Sequence, residues 1–95
     1  MLHKKARQTL SQREQAVTSA AAKVSLTTGM AGKEYMMVAN IGSSVCYIGD
    51  SSVSSTNGYP LFPRAAYDWG HCTPNFNFYV VSAGTATTTL GIYET

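Results

Sequence analysis

The side chains that could carry chemistry in this chain are few and widely separated. Asp68 and His71 stand three residues apart, Cys72 follows, and many serines could complete a Ser-His-Asp relay. Such a relay needs nucleophile, base and orienting acid within hydrogen-bond reach. No G-x-S-x-G elbow is present to expose the serine, so a loop histidine bonded to nearby backbone is the better reading. Asp50 and Asp68 are the interior carboxylates available for glycosidic acid–base work, yet both lie in turn-like contexts where Asp bonds its own backbone. His71, Cys72 and Cys46 are too few for a zinc site in one chain, although three chains meeting at an axis could each donate His71. The glycines are dispersed, and none precedes the Lys-Ser/Thr of a phosphate cradle. Tyr59, Phe62 and Trp69 could form a sugar platform, but such rings more often close the end of a fold. The expectation is a protein without catalysis, metal or cofactor.

The bulk properties bound what remains. Ninety-five residues make one domain, and a chain of this size buries only about 60–65% of its unfolded surface, so association is a ready source of stability. Charged residues are 13% of the chain, too few for charge-driven disorder. The net charge of +2 conceals an asymmetry. Residues 1–24 carry net +4 through Lys4, Lys5, Arg7, Arg13 and Lys23 against Glu14, whereas residues 25–95 carry net −2. A basic arm thus precedes a mildly acidic body. Nucleic acid is the weaker partner for that arm, because no aromatic lies among its cations to stack on bases. An acidic protein surface suits it better. No apolar run approaches the ~18 residues of a membrane span, and no apolar stretch follows the basic start to make a secretory signal. Cys46 and Cys72 lack CxxC spacing, and free thiols in a reducing cytosol are the expected state.

The elements that must position these residues read as strands. Between residues 11 and 24 the pattern is divided: Ser11-Gln-Arg-Glu14 fits a capping box, while Val17, Thr18 and Val24 are β-branched. After Gly32 the signal is β throughout. Residues 34–40 (EYMMVAN) are apolar on both faces, which predicts a strand covered on both sides. A tight connection at 40–44 leads to a second strand at 45–48, and the two are expected to pair as a hairpin. A short polar edge strand is expected at 51–55, then a turn at Asn57-Gly58. Pro60 and Pro63 exclude a central strand there. Strands at 65–69, 76–82 and 87–94 complete the set, with a loop at 70–75. Short strands separated by turns every eight to twelve residues predict a sandwich or barrel.

Several of these segments carry a resemblance. Met36-Met-Val-Ala-Asn40-Ile-Gly-Ser-Ser-Val45-Cys-Tyr-Ile-Gly49, then Val53, then Asn57-Gly-Tyr-Pro-Leu61, then Phe78-Tyr-Val-Val-Ser82, then Ile92-Tyr-Glu94, resemble small β-sandwich virion proteins of tailed bacteriophages, of the capsid decoration (cement) or head-fibre type. The loop at 70–75 departs from that scheme. The resemblance implies a strand near Val17 and an all-β, jelly-roll-like antiparallel sandwich over residues 15–95, behind a flexible basic arm at 1–14. It also implies a homotrimer on the capsid surface of a virion, made in the host cytoplasm and bound to the major capsid protein. Lys4, Lys5, Arg7, Arg13, Tyr59, Leu61 and Phe62 are the expected capsid or subunit contacts. A carbohydrate- or receptor-binding module of a head fibre or tail accessory protein is the alternative.

Overall fold

The computed structural model describes residues 10–25, 35–73 and 76–95. Among these residues every regular element is a strand: β1 (Ser11–Val17), β2 (Ala22–Ser25), β3 (Tyr35–Asn40), β4 (Cys46–Gly49), β5 (Tyr59–Leu61), β6 (Ala66–His71), β7 (Asn77–Ser82) and β8 (Thr88–Glu94). Sheet A has the order β1-β8-β3-β6, and sheet B the order β2-β7-β4-β5. All neighbouring strands are antiparallel. Every connection except β4–β5 passes from one sheet to the other, which is the winding of a jelly roll. The expected all-β sandwich is the observed fold.

Strand alternation builds the core. Val17, Met36, Val38, Leu90 and Ile92 point inward from sheet A, and Val24, Cys46, Ile48, Leu61, Phe78 and Val80 point inward from sheet B. Burying each such side chain stabilises the fold by about 1.5–3 kcal/mol before chain entropy is opposed to it. On β8, Leu90 and Ile92 face the core while Thr89 and Tyr93 face out, as their alternation predicts.

Three local expectations are corrected. Strands β3 and β4 do not form a hairpin; β3 pairs with β6 and β8 in sheet A, and β4 with β5 and β7 in sheet B. Residues 51–55 are turn and coil rather than an edge strand. Asp50 begins the turn by accepting the Ser52 N–H at 2.9 Å and the Ser52 hydroxyl at 2.7 Å. The boundary of the basic arm also moves, because 11–14 lie in β1 with Ser11 to Glu14 paired to Glu94 to Gly91 of β8.

The crossing from β3 to β4 rests on Asn40, which is fully buried. Its side-chain amide donates to the carbonyls of Ser44 (2.7 Å) and Leu61 (2.8 Å). Its Oδ1 accepts from Gly42 N–H (3.1 Å) and the Thr88 hydroxyl (2.8 Å). Its own backbone N–H goes to Ala65 O, and its carbonyl accepts Arg64 N–H. Gly42 is required beside it, since a Cβ there would stand 2.0 Å from Thr88 Oγ1 and 2.7 Å from the Thr89 nitrogen.

Replacing Asn40 by Ala strands two carbonyls, one N–H and one hydroxyl in the interior. We expect Asn40→Ala to lower unfolding free energy by roughly 3 kcal/mol in urea titrations, since each unpartnered buried group costs about 1–3 kcal/mol and relaxation recovers part of the sum. A loss under half that value would show that the network is replaceable.

Candidate functional site

The two open sides of the sandwich are closed differently, and this decides which predicted site residues remain available. On the β1–β2 side, Arg13 reaches the buried carboxylate of Glu94 at 3.1 Å and also donates to the Ser25 carbonyl of β2. It is the only ion pair among the described residues, and it ties β1, β8 and β2 together. Arg13 was expected as a partner contact; β1 directs its guanidinium toward the buried Glu94 carboxylate of its own fold, with the Arg13 side chain still 39% exposed.

On the β5–β6 side the closure is aromatic. Tyr59 leans on Tyr67 (centroids 5.4 Å), Tyr67 meets Trp69 edge-on (4.7 Å), and Trp69 packs on both Phe76 and Phe78 (5.0 Å each). Tyr67 and Trp69 both turn inward, while a β-bulge interrupts the register opposite Met36 and Met37. Gly70 supplies the bulge's positive φ of 69°, and Asp68 Oδ1 accepts its N–H at 2.7 Å. Trp69 therefore closes the fold and is not part of a sugar platform with Tyr59 and Phe62.

Leu61 was expected to be a contact and is corrected too: it is buried, because its register with Cys46 turns it into the core. Tyr59 and Phe62 remain outside, 57% and 61% exposed. Lys4, Lys5 and Arg7 lie outside the described residues. The turn that presents Phe62 is fixed by a 2.9 Å hydrogen bond from Ala65 N–H to Phe62 O, with Pro63 and Arg64 between them. Arg64 has φ +73°, the left-handed conformation that Gly or Asn adopts more readily. Its backbone is held by Asn40, and beside it Ile41 and Gly42 line a recess of about 290 Å³. Neither Ile41 nor Arg64 was singled out from sequence. The alternating apolar series Tyr35, Met37, Ala39, Ile41 was the signal that could have found Ile41.

The polar loop after β4 has its own role. Val53 is buried beneath it, and Gly58 lies so close to Tyr47 and Val53 that a Cβ there would stand 2.7 Å and 2.6 Å from their side chains. The loop is folded back on the outer side of sheet B. Hydrogen bonds from the Ser52 hydroxyl and then the Ser52 N–H hold the exposed Asp50 carboxyl below its usual range. His71 meets Tyr35 edge-on at 4.3 Å at the end of β6, and Asp68 is engaged with the bulge. Among the described residues, no three His, Cys, Asp or Glu side chains are grouped to hold a metal, and no helix could cross a membrane.

Compared with protein-family models, with curated proteins and with solved structures, the chain matches none. Its class is therefore defined by geometry: among the described residues, an eight-stranded antiparallel sandwich that presents apolar side chains on fixed turns.

Both cysteines are free thiols, Cys46 buried and Cys72 half-buried. Burial pushes the Cys46 thiol up to about 11. Desolvation, then the negative charge of Asp68, raises that of Cys72. At pH 8 an aromatic disulfide reagent should label Cys72 slowly and leave Cys46 untouched until the protein unfolds. The unfolded chain releases the Cys46 proton near pH 9 while the folded chain retains it toward 11, so this contribution to stability is complete below pH 9 and falls above it. Equal labelling of both thiols in the folded protein would contradict the assigned burial.

Proposed function

We propose that this chain is a virion structural protein that binds the exterior of a phage capsid as a decoration protein and reinforces the shell. The observation that carries the reading is the pair Tyr59 and Phe62, exposed at one end of the sandwich on a turn fixed by Pro60, Pro63 and the Asn40 network. Rings held in place lose little freedom on docking, so their burial against a neighbour is retained as affinity. The resemblance of 36–49, 57–61, 78–82 and 92–94 to tailed-phage sandwich proteins supplies the identity of that neighbour, the major capsid protein. The acidic body behind Lys4, Lys5 and Arg7 supports a contact in which those cations meet an acidic patch of the shell. This is a binding role rather than an enzymatic one, without metal or cofactor, and it places the protein on the virion surface after synthesis in the host cytoplasm.

A second reading, glycan binding by a fibre or tail component, has one observation in its favour. Asp50, Ser52 and Asn57 line a polar recess of about 280 Å³ together with Gly49 and Val53.

The test is occupancy of purified capsid shells lacking the chain, measured by co-sedimentation and electron microscopy. Phe62→Ala should lower affinity by about tenfold or more while the thermal transition stays in place, and Tyr59→Ala should lower both, since Tyr59 also leans on Tyr67. Removal of residues 1–9, which spares β1, should weaken binding and flatten its dependence on salt. Absence of wild-type binding together with a hit on a glycan array would transfer the function to the second reading.

A further inference from the structure

Over β4, the outer side of sheet B is covered by the chain's own 50–58 loop, with Val53 buried beneath it. Among the described residues, the outer side of sheet A has no such cover. Its central strand β3 is apolar on that side too: Tyr35 and Met37 are each 38% exposed, and Ile41, which continues the strand by donating its N–H to Thr89 O, is 46% exposed. A strand apolar on both faces is one that is covered on both faces. The register shows what fits.

The middle row across the outer side of sheet A is Glu14, Gly91, Ala39, Ala66. Its positions hold small residues except at the β1 edge, and the Tyr93 ring lies over Gly91, its hydroxyl 2.7 Å from where a Cβ would stand. On one side of it runs the row Gln12, Tyr93, Met37, Asp68. On the other, Ala16 and Thr89 are followed by Ile41 and, at the end of the same face, Arg64. We propose that two copies of this chain stack sheet A on sheet A about a two-fold axis lying along the middle row, perpendicular to the strands. That operation reverses each strand over itself. It sets Met37 on the partner's Ile41, Asp68 opposite the partner's Arg64, Ala39 and Ala66 on their own copies, and the Tyr93 ring over Gly91 against its own copy, within the ~10 Å separation of stacked sheets. Asp68 also lines the apolar recess of about 200 Å³ formed by Leu10, Tyr35, Met37 and Tyr93. Each face carries a cation at one end and an anion at the other, so it is complementary to its own reverse. Arg64 is in no ion pair with another described residue, and its left-handed backbone holds it at that end.

Four strands ~4.8 Å apart and about six residues long give a face of roughly 400 Å². This is below the ~800 Å² per partner of a standard interface, so the dimer is reversible and concentration-dependent. Glu14 meets its own copy at the β1 edge, where twisted sheets diverge, and it opposes association slightly. The inference goes beyond the decoration reading and does not depend on it. It gives a two-fold contact where the resemblance implies a three-fold one.

The test is sedimentation velocity of the full chain alone, from low micromolar to millimolar concentration, with a thermal melt of every variant. The wild type should pass from monomer to dimer. Ala66→Arg on the axis and Ile41→Lys beside it should each abolish the dimer; Ile41→Lys alone decides the matter if Ala66→Arg fails to fold. Arg64→Asp and Asp68→Arg should each raise Kd by about tenfold, and the double swap should restore most of it. Glu14→Gln should lower Kd. A wild type that stays monomeric, forms a trimer, or dimerises regardless of Ile41→Lys would overturn the proposal.

Discussion

The architecture depends on a single amide. Asn40 ends the central strand of sheet A, where the chain must leave that sheet and enter sheet B within five residues. Such a crossing exposes backbone groups in the interior, and interior backbone must be partnered. The Asn40 side chain partners four groups at once, from the crossing itself, from β5 and from β8. Its backbone fixes the Arg64 and Ala65 turn that carries the chain back to sheet A. No apolar residue could do this, and neither Asp nor Leu of similar size presents two donors and an acceptor together. Gly42 follows as a consequence, since the chain passes against Thr88 with no space for a side chain.

The two open sides of the sandwich show two solutions to the same difficulty. The aromatic side excludes water with five rings, and Trp69 is drawn in far enough that its Nε1 is buried without a partner among the described residues. The opposite side uses Arg13 over buried Glu94. An ion pair placed so is costly to break because it leaves a carboxylate in the interior. That physical demand turns the Arg13 guanidinium toward its own fold.

Function follows from what closure leaves outside. Among the described residues, Cys46 lies in the core, and Asp50 and Asp68 are occupied with local geometry. Among the exposed residues are large apolar side chains held on strands or turns, Tyr35, Met37, Ile41, Tyr59 and Phe62. These suit contact with other proteins, and they fall on two surfaces, the β5 end and the outer side of sheet A.

The sequence by itself determined β3, β4, β6, β7 and β8 and most of their facing, but neither β5 nor the choice of strand over helix in 11–24. Alternation in 34–40, 76–82 and 87–94 is local information, set by the two-residue period of the pleat, and the turns at Asn57-Gly58 and Pro63 are equally local. The inward direction of Leu90 and Ile92 was legible for that reason. Pairing was not legible, because partners such as Arg13 and Glu94 are distant in sequence and the same alternation fits several registers. Strands β3 and β4 are adjacent in sequence with a short connection, the pattern of a hairpin, yet the tertiary structure separates them. Asn40 can satisfy a crossing, and only the assembled fold supplies Leu61 O and the Thr88 hydroxyl to make that crossing stable. The same holds for the surface. Sequence marked β3 as apolar on both sides, while the fold alone decided that one of those sides faces no other part of the described chain.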